Sequence, residues 1–156
     1  MAIRKLLART PQLQEEYVLT LGGAVYYFSL AEWMAAYCCE AMCAGYIKDV
    51  SNKDKKITAR NVAEKLIALT KKLPESEEKT KLLDAANDFL GLVTDERNPL
   101  LHSHPAAVEN EAVLHNPKNR KTFSKEALEE YAQQSFDCNH ALNHAYYKFL
   151  KLSTPS

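Results

Sequence analysis

The stretch from Leu13 to Met42 reads LQEEYVLTLGGAVYYFSLAEWMAAYCCEAM, and the spacing of its apolar residues decides the fold. Leu13, Tyr17, Leu21, Ala24, Phe28, Ala31, Ala35, Cys38 and Met42 recur at steps of three and four. That is the period of an α-helix with one face in a core. Gly22-Gly23 interrupts the stripe, where a bend or the close approach of another helix is expected. Thr10-Pro11 supplies a capping hydroxyl and a proline suited to the first helical position, so the helix is expected to open there. Gly45 and the polar run Lys48 to Lys56 end it.

Three more segments repeat the pattern. A second helix is expected from Thr58, with Ile57 and Val62 placed as a hydrophobic staple and Val62, Leu66, Leu69 and Leu73 facing inward. Pro74-Glu75-Ser76-Glu77 restarts the chain into a third helix whose early carboxylates suit the helix dipole. Leu82, Ala86, Phe89 and Val93 carry its stripe. A last helix follows Ser124, stapled by Phe123 against Leu128, and runs through Tyr131, Ser135, Cys138, Leu142, Ala145, Phe149 and Leu152. Between them, His104 to Thr122 reads as one long irregular connection, with Glu111 to Leu114 able to form a short extended piece; a connection of that length is usually functional or mobile. The expected fold is all-α: a single domain over residues 1–156, built as a four-to-five-helix antiparallel bundle.

Twenty acidic and twenty basic side chains balance in 156 residues, so no global positive field attracts nucleic acid, and any such contact needs a local patch. The N-terminal run to Arg9 is too short and too charged for a signal peptide. The longest uncharged run, Tyr17 to Ala31, falls short of a membrane span. A cytoplasmic location without membrane contact is therefore expected. Cys38, Cys39, Cys43 and Cys138 lie on apolar helical stretches and read as reduced thiols packed like small hydrophobes. A zinc site built from Cys39, Cys43, His140 and His144 is the alternative at that spacing. No metal and no cofactor is expected.

The chemistry concentrates in Arg97-Asn98-Pro99-Leu100-Leu101-His102, at the end of the third helix. Arginine grips phosphate through a planar fork of parallel donors. Histidine changes charge near physiological pH and serves as general acid or base. On an ideal helix, positions 97 and 102 point about 140° apart, so a regular helix cannot bring them together. Pro99 disfavours a helical Asn98 and cannot donate to the Asp95 carbonyl, so a kink or an early helix end is expected to re-aim His102. Glu32 interrupts the apolar centre of the first helix; it either orients Arg97 or sits at the solvent edge. Lys118, Arg120 and Lys121 form a basic run suited to an RNA backbone or to solvent. Tyr26-Tyr27 and Tyr146-Tyr147 either stack on bases or place one ring of each pair in the core.

The phrase Glu96-Arg-Asn-Pro-Leu-Leu-His-Ser103, ending the third helix of a helical domain this size, resembles the HEPN superfamily, whose signature is an arginine, a polar residue and a histidine after four to six intervening positions. The resemblance implies a HEPN-type bundle forming a homodimer, with two Arg97/His102 pairs facing each other. It also implies metal-independent endoribonuclease activity of the kind found in toxin–antitoxin and phage-defence systems, with an antitoxin or regulatory protein as a further partner. His102 would move the proton, Arg97 would bind the scissile phosphate and Asn98 would position the phosphate or the histidine. His104 occupies the position where one group of antitoxin-paired members carries a tyrosine; it also meets the upper spacing limit and would replace or assist His102. The alternative is a HEPN-like module without catalysis, used for dimerisation or for sensing nucleotides or RNA.

Overall fold

The computed structural model describes residues 2–8 and 13–151. A short helix α1, Ala2–Leu7, precedes the long α2, Glu15–Met42. The expected Thr10-Pro11 start lies outside the described residues. Helix α3, Tyr46–Val50, follows Gly45, whose φ of 91° is open to glycine and rarely to other residues. A 3-10 turn, Lys53–Lys55, leads to α4, Ala59–Lys71. Helix α5, Glu77–Gly91, runs into a π-helical turn, Leu92–Arg97, and then α6, Asn98–Leu101. Three strands follow: β1 (His104–Val108), β2 (Glu111–Asn116) and β3 (Lys121–Phe123). Helix α7, Lys125–Ala145, follows and continues into a second π turn, Tyr146–Leu150.

Side-chain caps start three of these helices where the sequence places them. Thr58 and Asn61 form a reciprocal capping box on α4, Ser76 accepts from the Lys79 amide, and Ser124 accepts from the Ala127 amide. Phe123 and Leu128 are both fully buried at the start of α7. The α2 stripe packs inward as expected, with Ala24, Phe28, Ala31, Ala35 and Cys38 all buried, and the helix runs unbroken through Gly22-Gly23. Phe28 lies 5.7 Å from Phe89 and 6.0 Å from Tyr131, ring centre to ring centre, which joins α2, α5 and α7 at one point. Truncating Phe89 there costs about 3–5 kcal/mol in a rigid core.

Two expectations need correction. The chain is mostly helical but carries a small sheet: residues 104–123, read as an irregular connection, form an antiparallel meander in the order β1-β2-β3. The β1–β2 turn has two residues, Glu109 and Asn110, both with positive φ (51° and 67°), the geometry two-residue hairpins require. The helices also do not alternate in direction throughout. Contacts between α2 and α7 rise together in residue number: Glu16 with Lys125, Tyr27 with Phe136, Met34 with Asn143, and Tyr37 with Tyr146. These two helices therefore run parallel. Helix α5 runs opposite to α7: Cys138 Sγ meets the Ala85 carbonyl at 3.7 Å, while Arg97, further along, acts electrostatically on the earlier Tyr131.

The meander joins α6 to α7 at the end of the bundle where α2 begins. The Tyr17 hydroxyl donates to the Phe123 carbonyl at 2.8 Å and accepts from the Leu114 amide at 2.9 Å, pinning β2 and β3 to the first turn of α2. Helix α7 therefore sets out from the same end as α2. No helix among the described residues is long and apolar enough to cross a membrane.

Candidate functional site

The motif enters its site through the π turn. The Asn98 amide donates to the Val93 carbonyl, five residues back, so the turn before the motif is one residue wider than an α-turn. Such insertions recur at functional sites. Contrary to the expectation from Pro99, Asn98 keeps helical angles (φ −66°, ψ −46°) and α6 continues through the proline to Leu101. The wider turn accommodates the ring that would clash in a regular helix.

Proline leaves the Asp95 carbonyl without its helical donor, and the hairpin supplies a replacement. Lys121 Nζ donates to the Asp95 carbonyl at 2.9 Å and pairs with the Glu96 carboxylate. A second tie lies one turn further on. The Asn116 side chain, buried at the end of β2, donates to the Pro99 carbonyl at 2.8 Å, which also accepts from Ser103 Oγ at 2.8 Å. The Asn116 oxygen accepts from the Lys118 and Asn119 amides, so the same side chain shapes the β2–β3 turn. Sequence reasoning missed Asn116 as a positioning residue and assigned Lys121 to RNA. For Lys121 the signal was Pro99, which leaves the Asp95 carbonyl in need of a donor; nothing local signals Asn116.

Arg97 and His102 do not line a common groove. Arg97 is half-buried, donates to Asn98 Oδ1 at 2.9 Å, and lies within electrostatic reach of Glu32 on α2 and Tyr131 on α7. Burial raises the Glu32 carboxyl above the usual carboxylate range, and the Arg97 guanidinium opposes that rise. Burial likewise raises the Tyr131 phenol, with Arg97 opposing and the Glu96 and Glu32 carboxylates reinforcing. Ser135 Oγ is buried here without a hydrogen-bond partner in good geometry, although the Tyr131 hydroxyl is near enough to feel it. Glu32 therefore faces Arg97 from a half-buried position.

His102 caps α6 in the open, its amide donating to the Asn98 carbonyl at 3.2 Å. It lines an open groove of about 970 Å³ together with Asn98, His104, Asn116, Lys118 and Asn119. No carboxylate lines this groove, so an anion meets two imidazoles, an ammonium and amide donors there. Arg97 is not among the lining residues. Asn98 connects the two halves: it forms part of the groove wall while its side-chain Oδ1 accepts from the Arg97 guanidinium.

The basic run divides by role. Lys118 and Arg120 are exposed, Arg120 with a φ of 57°, whereas Lys121 is already tied to the motif. His115 is bonded to Thr122 across the strands. Of each tyrosine pair, one ring is strongly exposed (Tyr26, Tyr147) and the other half-buried (Tyr27, Tyr146). Cys38, Cys39 and Cys138 are buried, and burial pushes the Cys39 and Cys138 thiols up to about 12, the range of inert packed thiols. Cys39 Sγ faces the Val62 carbonyl while His140 and His144 are exposed, and the described residues contain no metal-binding group of three or more such side chains. No known family model, curated protein or solved structure matches the chain, so the chemistry of the site rests on its own geometry.

Proposed function

We propose that the chain is a metal-independent endoribonuclease of the HEPN type, acting in the groove lined by His102 and His104. The observation that carries this reading is the carboxylate-free groove that sets two exposed imidazoles beside Lys118, with Asn98 in its wall bonded to Arg97. That bond leaves the guanidinium one side chain away from the groove. One imidazole takes the proton of a ribose 2′-hydroxyl as O2′ bonds to phosphorus; the other donates a proton to the departing O5′ as the P–O5′ bond breaks. The products are a 2′,3′-cyclic phosphate and a free 5′-hydroxyl. Arg97, with Asn98 aiming it, stabilises the charge gathering on the phosphoryl oxygens, and Lys118 and Arg120 hold the flanking backbone. On this reading a protein that restrains the nuclease, such as an antitoxin, is its natural partner.

The test is incubation of pure protein with mixed RNA in EDTA. Removing a positioned acid or base costs about 10²–10⁴ in rate, and removing a donor to developing charge costs about 10²–10³. His102→Ala and Arg97→Ala are expected to lose cleavage within those ranges; equal activity in both variants refutes the assignment.

A helical module without catalysis is the second reading. It is favoured by the engagement of Arg97 with Asn98 and its closeness to Glu32, which hold the guanidinium out of the groove. That reading predicts an inert protein that still binds RNA or nucleotide at Lys118.

A further inference from the structure

Helix α2 is apolar on both sides. Its outer face exposes Leu19, Tyr26, Leu30, Trp33 and Tyr37, at 68, 60, 38, 46 and 44 % of their full areas. At 100° per residue these five fall within an arc of about 60°. Among the described residues no other element covers them fully. A helix that is hydrophobic all round belongs in an interior. The exposed stripe amounts to about 550 Å², at the top of the range for the largest apolar patch on a monomer.

Gly22 and Gly23 border the same face in mid-helix, where each costs about 1 kcal/mol relative to alanine. A Cβ built at either position meets no atom of the described residues within 4 Å, and Gly23 lines an open groove between α2 and α7. No close packing among the described residues requires their lack of a side chain.

We infer that this face pairs with the same face of a second copy, α2 against α2 and antiparallel, about a two-fold axis near Phe28. A two-fold contact must be self-complementary, and this stripe is. An axis at position 28 sets Trp33 over the partner's Gly23, Tyr26 against the partner's Leu30 and Leu19 against the partner's Tyr37. The largest side chain meets one of the two positions with none. The axis also falls at the middle of Glu15–Met42, so the two helices overlap along their whole length.

No stripe residue is charged, so like charges do not meet at the axis. The two stripes together bury about 1,100 Å², and the bordering residues bring the contact into the 1,200–2,000 Å² window of stable interfaces. Nucleic acid fits less well, because α2 contains no lysine or arginine to hold a backbone beside the rings. Glu32, the α2 residue facing Arg97, lies about 100° or more from the stripe. The stripe includes no residue that lines the His102 groove, unlike a motif-to-motif dimer, so the pairing stands or falls apart from the ribonuclease reading.

The test is the molar mass in solution, by light scattering or sedimentation at micromolar concentration. The parent is expected at twice 17.6 kDa. Gly23→Leu fills the space reserved for the partner's Trp33 while fitting its own chain. Tyr26→Lys places a cation against the partner's Leu30. Each is expected to raise the dimer dissociation constant at least tenfold with unchanged helical circular dichroism, and Gly23→Leu to melt no lower as a monomer. A parent of 17.6 kDa at every concentration overturns the inference, as does a dimer whose dissociation constant both variants leave unchanged.

Discussion

Replacing Asn116 with alanine should loosen the motif without touching it. The Asn116 side chain is 4 % exposed and makes three hydrogen bonds, to the Pro99 carbonyl and the Lys118 and Asn119 amides. At about 1 kcal/mol each, with buried partners left unsatisfied, the loss is about 2–3 kcal/mol. For a domain this size each kcal/mol moves Tm by about 2–4 °C, so a drop of roughly 4–12 °C is expected. Urea unfolding checks it, with the midpoint lowered and the slope unchanged. Asn116→Asp separates the two roles: it keeps the turn acceptor and loses the donor to Pro99, so it should fall between parent and alanine. Amide exchange should quicken in β2 and α6 and stay slow in the α2–α7 core. An alanine variant within about 0.5 kcal/mol of the parent refutes the clamp, because surface substitutions alone reach that size.

Other consequences are independent of this one. Glu109→Asn with Asn110→Gly gives the β1–β2 turn the residues its positive φ angles favour and should raise stability by about 0.5–1 kcal/mol in urea unfolding. The raised carboxyl of Glu32 favours the folded state below the unfolded carboxylate pKa, and that contribution is lost as pH rises through the folded value. Glu32→Gln should therefore gain stability relative to the parent between acid and neutral pH; a pH-independent difference contradicts the burial. Of the four cysteines only Cys43 is not buried, so native protein should react with one equivalent of a thiol reagent and denatured protein with four.

What was legible in the sequence was local. Thr58, Ser76 and Ser124 announce helix starts because each cap bonds to an amide three residues on, and the α2 stripe announces its own period. The hairpin was hidden because Glu109-Asn110 occupies a turn where Asn-Gly would have been read at once. The parallel course of α2 and α7 was hidden because Tyr17 bonding to Phe123 and Leu114 sets it, across more than ninety positions in sequence. At the site, helical geometry alone separated Arg97 from His102. The π turn that tolerates Pro99, and the Asn116 and Lys121 side chains that satisfy its neighbours, depend on tertiary contacts with no local pattern.

The central claim is that this groove cleaves RNA through the ribose 2′-hydroxyl, with the protein's own imidazoles moving the protons. A DNA oligonucleotide carrying one ribonucleotide, incubated with the protein in EDTA and weighed by mass spectrometry, addresses it directly. Scission only 3′ to the ribonucleotide, leaving a 2′,3′-cyclic phosphate and lost in His102→Ala, is the predicted result. An intact oligonucleotide under conditions where RNA binds, or scission that persists in His102→Ala, contradicts it.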